Sequence, residues 1–175
     1  MIRKASINDI QRIAEIYENI IAADEKGERR VGWISGIYPS EQSALEAFHN
    51  DSLFVSEDGN QIVAAAKIDQ NQADVYAEAN WQHDAPDSEV MVLHTLAVDP
   101  NMSGRGYGKG FVKFYEDYAA ANGCKYLRMD TNATNSSARS LYKKLGYAEV
   151  GIVKCNFCGI PNINLVCLEK KLRLL

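Results

Sequence analysis

The most informative segment of the chain is glycine-rich and reads Val98-Asp99-Pro100-Asn101-Met102-Ser103-Gly104-Arg105-Gly106-Tyr107-Gly108-Lys109-Gly110. It follows an apolar run typical of a strand and precedes an apolar stripe at helical spacing, so it joins a strand to the N-terminus of a helix. Free backbone N–H groups and the helix dipole attract phosphate at such a place, and glycines let the backbone approach the oxygens. The segment predicts a phosphate-binding loop; a flexible turn without a ligand is the alternative.

Two common phosphate-binding patterns do not fit this segment. The Walker pattern needs a glycine five residues before Gly108, where Ser103 stands, and Ser or Thr after Lys109, where Gly110 stands. The dinucleotide fingerprint needs a glycine three residues after Gly108, but that residue is Phe111. Neither pattern therefore identifies the ligand.

Outward from the loop, hydrophobic periodicity and turn residues predict one domain over residues 1–175, with the order β-α-α-β-β-β-α-β-α-β-β. Helices are expected to begin after Ser6, Ser40 and Asn135, which are suitable N-cap residues, and after the glycine loop. Strands are predicted at residues 2–5, 53–56, 62–68, 90–98, 126–130, 147–153 and 164–169.

A second motif follows in the chain, Asn135-Ser136-Ser137-Ala138-Arg139-Ser140-Leu141-Tyr142-Lys143-Lys144-Leu145-Gly146-Tyr147. It resembles the N-x-x-A-x-x-L-Y-x-x-x-G-F/Y pattern of the GNAT superfamily of N-acetyltransferases. That family also ends a central strand in V-x-P and continues with R/Q-x-x-G-x-G/A, which Val98, Pro100 and the glycine loop match. Ser103 departs from the pattern, because the family usually has Arg or Gln there. The resemblance is clear over residues 90–151.

The resemblance implies an α/β fold with a mixed sheet: about seven mostly antiparallel strands and four helices, splayed between the fourth and fifth strands. It also implies acetyl-CoA as cosubstrate and no metal. The expected coenzyme-binding residues form one set along the strand end, the loop and the second motif: Leu96, Ala97, Val98, Ser103, Gly104, Arg105, Gly106, Tyr107, Gly108, Lys109, Asn135, Ala138 and Tyr142.

Acetyl transfer from a thioester to an amine requires a base for the ammonium proton, dipoles for the oxyanion and an acid for the leaving thiolate. Tyr142 occupies the family's general-acid position; without the family pattern it would be interpreted as a core tyrosine. His94 resembles the catalytic histidine of serotonin N-acetyltransferase in its strand, and imidazole suits a base at neutral pH. Glu89 and a water molecule are the other candidate bases, and a histidine packed on the sheet is the inert alternative.

Two loops that the family uses for its acceptors carry aromatic side chains here: Trp33, Tyr38, Tyr76, Trp81 and His83. The second loop also holds five carboxylates, which together with aromatic faces would suit a cation. A polyamine, an amino sugar or an amino-acid-like amine is therefore expected as acceptor. The alternative is that these carboxylates only face water.

Two other functions stay open at this point. A protein N-terminus or lysine could be the acceptor, which predicts an open groove instead of an aromatic pocket. A non-catalytic acyl-CoA sensor could keep the loop without the chemistry, although the presence of both Tyr142 and His94 argues against it. The resemblance also raises the hypothesis of a homodimer.

Composition and charge limit which binding partners and which cellular location are expected. The formal net charge of −4 and pI of about 5.4 lack the basic footprint of a nucleic-acid-binding protein. No apolar run reaches membrane-spanning length and residues 1–6 do not resemble a signal peptide, so a cytoplasmic protein is expected. Cys155 and Cys158 have C-x-x-C spacing, but no second such pair completes a zinc site, and reduced thiols are expected.

Overall fold

The computed structural model describes residues 1–173, and within them it contains seven strands and four α-helices, in the order that the sequence predicts. The elements are β1 Ile2–Lys4, α1 Ile10–Glu25, α2 Glu41–His49, β2 Leu53–Asp58, β3 Gln61–Asp69, β4 Val90–Val98, α3 Tyr107–Ala121, β5 Tyr126–Asn132, α4 Ser136–Lys144, β6 Ala148–Phe157 and β7 Ile160–Lys171. None of these helices combines the length and the apolar character needed to cross a membrane.

The strands form one sheet in the order β1-β2-β3-β4-β5-β7-β6, in which only β4 and β5 are parallel. Helices α1 and α2 pack on one face, where Ala65 and Ala97 belong to their apolar cluster. The other face carries α3 and α4, whose apolar residues pack with Leu93 and Met129. The predicted mixed, mostly antiparallel sheet is thus confirmed, and its central strands are covered on both faces.

The sheet splays apart between β4 and β5. These strands pair only from Val90 with Tyr126 to Leu93 with Met129, although β4 continues to Val98 and β5 to Asn132. Their carboxyl ends therefore leave unpaired main-chain edges facing a V-shaped cleft, as predicted. Unpaired edges of this kind accept a further extended segment.

A bulge reshapes β4 at the mouth of the cleft. The pairing of β3 with β4 shifts register between Lys67–His94 and Ala65–Ala97, and Thr95 lies between them with a φ of 51°. A β-branched residue in this left-handed region is a genuine outlier, so the surrounding contacts must hold it there. The bulge changes the direction in which the β4 side chains after His94 point.

The last hairpin is longer than predicted. Strands β6 and β7 extend to Phe157 and from Ile160, and Cys158 and Gly159 form the turn between them, with φ values of 49° and 81°. Two consecutive left-handed residues match the twist of a hairpin. The prediction ended β6 too early, although Lys154 to Phe157 alternate polar and apolar residues. It began β7 too late because Pro161 is unusual inside a strand. Cys155 and Cys158 are both free thiols in this structure.

Candidate active site

A cavity of about 110 Å³, here called the cleft cavity, opens where β4 and β5 diverge. Strand β4 contributes His94 and Leu96 to its walls, and β5 contributes Asp130. Helix α4 and its N-cap contribute Asn135, Ala138 and Tyr142, and the segment between α1 and α2 contributes Trp33 and Tyr38. The hairpin of β6 and β7 contributes as well, so the fold collects residues from five separate parts of the chain at this point.

A second cavity of about 310 Å³, here called the α2 cavity, adjoins the first on the α2 side of the sheet. The two cavities share Tyr38, His94, Thr95 and Phe157 as walls. The α2 cavity has mixed apolar and polar walls, and its polar lining side chains include Ser43, Glu46, Asn50, Lys67 and Asn71. A ligand in one cavity would therefore meet a ligand in the other at His94 and Thr95.

Tyr142 is 7% exposed and lines the cleft cavity, so its small exposed part faces this space. Its ring packs edge-on against Tyr147, with the ring centroids 6.1 Å apart. Among residues 1–173, no side chain or backbone group is hydrogen-bonded to its hydroxyl. Burial, together with the nearby Asp130, raises the pKa of Tyr142 well above its ordinary value. The hydroxyl is therefore protonated at neutral pH and has its proton available to a ligand.

His94 is held by its neighbours in one orientation. Its Nε2 lies 3.1 Å from Asp69 Oδ1 and 3.1 Å from the carbonyl oxygen of Asn71. Both partners only accept hydrogen bonds, so Nε2 must carry the ring proton in the neutral imidazole, and Nδ1 keeps a lone pair. This tautomer follows from the two acceptors and leaves Nδ1 able to accept a proton from a ligand.

The carboxylate of Asp69 sustains that arrangement. Burial pushes the pKa of Asp69 upward, but the hydrogen bond with His94, the charges of His94 and Lys67 and the Asn71 N–H outweigh it and lower this pKa to about 2. Asp69 is therefore charged throughout the neutral range. It stands at the end of β3 beside His94 only because of the register between the two strands, and the sequence analysis did not identify it.

Asp130 is a second acidic group that the sequence analysis missed. It lines the cleft cavity from the end of β5, and its Oδ2 accepts a hydrogen bond of 2.7 Å from the hydroxyl of Tyr76. Burial raises its pKa, while the Tyr76 hydrogen bond and the nearby His94 act in the opposite direction. The available signal was a carboxylate at the end of an apolar strand, five residues before Asn135.

The glycine loop has the geometry expected of a phosphate site. Gly104 and Gly106 have φ values of 76° and 85°, and Gly106 caps α3 without a side chain, which leaves the first N–H groups of the helix accessible. The residues from Ser103 to Gly106 are exposed, as is Lys109, while Tyr107 and Gly108 are half-buried. An ion pair between Arg12 of α1 and the buried Asp99 fixes the position of the glycine loop.

The expected pantetheine contacts also fit the structure. Leu96 lines the cleft cavity, whereas Ala97 is fully buried and pairs with Ala65, so that its opposite main-chain edge faces the cleft. Val98 is the last residue of β4, so this free edge ends there, and it pairs with Ala64 on the other side. Asn135 caps α4 by accepting the N–H of Ala138 at 3.2 Å through Oδ1, which leaves its side-chain NH₂ for a ligand. These residues fit an extended amide-containing arm such as pantetheine.

Several predicted site residues lie outside both cavities. Glu89 precedes the paired end of β4 and its carboxylate lies 3.2 Å from Lys125 Nζ, so the strand separates it from His94. The guanidinium carbon of Arg128 lies 4.2 Å from the centroid of the Trp81 ring. The indole N–H of Trp81 donates a hydrogen bond to the backbone carbonyl oxygen of Tyr76.

His83 contacts the buried Glu169, with Nδ1 3.1 Å from Oε2. A buried ion pair between Arg128 and Glu169 organises the 72–83 segment around itself, because Arg128 also donates to Gln72 and to the backbone of His83. This explains why Trp81 and His83 do not reach the cavities. Of this segment's aromatic residues, Tyr76 alone contacts the site, through Asp130.

The sequence profile of the Acetyltransferase (GNAT) family matches residues 17–147. The chain therefore belongs to the GNAT acetyltransferase family. An uncharacterized N-acetyltransferase of Bacillus subtilis, YhfO, is 24% identical over 148 residues, which are 85% of this chain and 89% of that protein. Another uncharacterized N-acetyltransferase, from Methanocaldococcus jannaschii, is 31% identical over 80 residues, and this match spans 46% of the chain but only 35% of the relative.

Solved structures share the fold. A GNAT-family acetyltransferase of Streptococcus agalactiae superposes with a TM-score of 0.83 at 21% identity, covering 99% of this chain and 96% of that one. A protein of Salmonella typhimurium, solved with its cofactor acetyl-CoA, superposes with a TM-score of 0.71 at 16% identity, covering 99% and 94% of the two chains. At these identities the likeness establishes the architecture.

Proposed function

We propose that this chain transfers an acetyl group from acetyl-CoA to the primary amine of a small molecule. One observation carries the proposal: the cleft between β4 and β5 brings the hydroxyl of Tyr142 and the imidazole of His94 to the walls of one cavity. One wall offers a proton donor and the other a proton acceptor, which is what acyl transfer from a thiol to an amine needs.

The cosubstrate supplies a thioester, and the residues of this chain supply the rest. The free edge of β4 at Leu96 to Val98 binds the pantetheine arm, the NH₂ of Asn135 adds a hydrogen bond, and Gly104 to Lys109 hold the phosphates. His94 Nδ1 takes the amine proton, directly or through a water, as the new N–C bond forms. Tyr142 gives its proton to the sulfur as the C–S bond breaks. The proton that His94 accepted then returns through water to the Tyr142 oxygen, so both residues are restored and the products are the amide and the free thiol.

Asp69 and Asp130 support this chemistry from two sides. Asp69 holds His94 in the tautomer that leaves Nδ1 unprotonated. Asp130 lies in the same cavity and attracts an ammonium group, which places the amine near the base before it loses its proton.

The α2 cavity favours an amino-acid-like acceptor over the polyamine and the amino sugar. It presents a carboxylate from Glu46 and the ammonium group of Lys67, which also lies 3.2 Å from Asp69 Oδ2, so charges of both signs face a ligand that carries both. Its volume of about 310 Å³ lies at the small end of ligand pockets. A space of this size supports a small molecule in preference to a protein terminus or a lysine side chain.

The proposal is tested by measuring thiol release from acetyl-CoA with a panel of amino acids, polyamines, amino sugars and amino-terminal peptides. We expect turnover with amino acids, and a loss of kcat of about 100-fold or more in Tyr142→Phe. Tyr118→Phe is the matched control, because Tyr118 packs on Phe54 and Phe114 away from both cavities.

Three results would contradict parts of the proposal. Turnover with peptides alone would assign a protein acceptor. Acetyl-CoA binding by calorimetry without any turnover would support the sensor. An unchanged kcat in Tyr142→Phe would remove Tyr142 from the mechanism.

A further inference from the structure

The segment between α1 and α2 crosses the mouth of the cleft, and residues 29–38 are here called the strap. The strap touches the candidate site at three separate places. Arg29 donates a hydrogen bond from Nη2 to the hydroxyl of Ser103, at the start of the glycine loop. The backbone oxygen of Arg30 accepts a hydrogen bond of 3.3 Å from the Thr134 hydroxyl, beside the cap of α4.

At its far end the strap reaches the bulge of β4, where the hydroxyls of Tyr38 and Thr95 are hydrogen-bonded. Its middle is fixed by close approach: Gly32 has a φ of 74°, and a Cβ on it would lie 2.4 Å from Asn132 Nδ2. The Gly32 N–H also donates to Asp24 Oδ2 at 2.7 Å. Arg29 is thus presented to the glycine loop by a segment with a defined course.

The guanidinium of Arg29 has no carboxylate partner within residues 1–173, and Ser103 is the one side chain it contacts there. Two further cations, Arg105 and Lys109, belong to the same exposed loop. An unpaired guanidinium, positioned by a hydrogen bond beside free helical N–H groups, is suited to bidentate recognition of phosphate oxygens. Ser103 has only a hydroxyl, so it cannot bind a phosphate in this bidentate way.

We infer that Arg29 is a coenzyme-binding residue, and that its guanidinium, held beside Ser103, binds the diphosphate of coenzyme A together with the glycine loop. The inference rests on the proposed function, since it assumes that the cleft binds coenzyme A. Arg29 takes the place of the long side chain that the family pattern has where this chain has Ser103. Because the strap also carries Trp33 and Tyr38 into the cavities, the diphosphate and the acceptor pocket are connected through one segment.

The test compares dissociation constants from calorimetry for wild type and Arg29→Ala, with CoA and 3′-dephospho-CoA as probes. Arg29→Ala is expected to weaken both ligands about 10-fold or more, as the loss of one charge-assisted hydrogen bond predicts. Turnover of S-acetylpantetheine, which has no phosphate, should keep its kcat/KM within about two-fold. Arg30→Ala is the matched control, since it removes the same charge one residue away and its side chain is exposed.

A rescue variant separates diphosphate binding from a structural role. Arg29→Ala combined with Ser103→Arg returns a guanidinium to the loop, and we expect it to recover most of the CoA affinity. Equal CoA affinity in wild type and Arg29→Ala would overturn the inference, as would an equal loss with S-acetylpantetheine. A loss confined to CoA and absent for dephospho-CoA would overturn the diphosphate assignment. A wild type that binds no CoA would instead contradict the proposed function.

Discussion

Replacing Asp69 by Asn tests whether His94 acts as the base. Asparagine keeps the size of the side chain but removes its charge, and its NH₂ can donate to Nε2. That hydrogen bond would favour the tautomer with the proton on Nδ1, which is the nitrogen that must accept the proton from the amine. The change therefore alters the proton position on His94 without altering the cavity.

The structure gives the size of the effect. The pKa of Asp69 is about 2 against an ordinary 3.8, and at 1.36 kcal/mol per pKa unit this corresponds to roughly 2 kcal/mol in favour of the charged carboxylate. Burial acts in the opposite direction, so the neighbours supply all of it, and the hydrogen bond with His94 is the largest of their contributions. His94 accounts for part of this sum, so the loss in orienting its ring is at most about 2 kcal/mol, which predicts a kcat up to about 30-fold lower.

The assay is kcat for the best amine at pH 7.5, together with the dissociation constant of acetyl-CoA, which should stay within about two-fold. Asp74→Asn is the control, because Asp74 is an exposed acid in the following segment. In a His94→Gln background, Asp69→Asn should add almost nothing, since the two residues act as one unit. A full 30-fold loss in that background, or no loss in wild type, would refute the assigned role of Asp69.

Three further predictions concern stability and the site boundary. The hydrogen bond from Arg3 lowers the pKa of Asp9 to about 2, so this carboxylate stabilises the fold above its unfolded pKa of 3.8, and the contribution is lost as pH falls towards 2. Asp9→Asn should lower the free energy of unfolding in urea by about 2 kcal/mol at pH 7, and the gap to wild type should close near pH 2. Gly32→Ala should raise the KM of the amine, because its Cβ would collide with Asn132; an unchanged KM would show that the strap adjusts. Trp81→Ala should cost about 2 kcal/mol in thermal unfolding yet leave the KM of the amine unchanged, whereas a raised KM would return Trp81 to the site.

Much of the architecture could be predicted because it follows from the spacing of apolar residues and from capping residues that are close together in the sequence. Strand β4 has the predicted bounds, and Ser40 and Asn135 cap their helices with side-chain hydrogen bonds as expected. The glycine loop and the α4 motif are local as well, since each consists of consecutive residues whose spacing reflects one turn or one helical face. Tyr142 and His94 could be proposed because they lie within or beside such motifs.

The rest of the site depends on long-range register. Asp69 meets His94 through the pairing of β3 with β4, and Asp130 enters the cleft because β5 continues past its last pair with β4. No local pattern encodes either contact. Trp81 shows the converse, since an aromatic residue in a loop is compatible with a pocket or with a buried ion pair, and only Arg128, far along the chain, decides between them.

The short pairing between β4 and β5 has a consequence for the lifetime of the protein. Four residue pairs join the two halves of the sheet, and beyond them the edges are open. Under the proposed function, a donor bound in this gap would pair with the free edge of β4. It would then stabilise the folded chain by an amount that grows with its concentration, about 2.7 kcal/mol at a hundredfold excess over the dissociation constant. Proteases degrade chains through their opened forms. A bound donor of this kind would therefore protect the chain against proteolysis, and its removal would be expected to shorten the half-life of the protein.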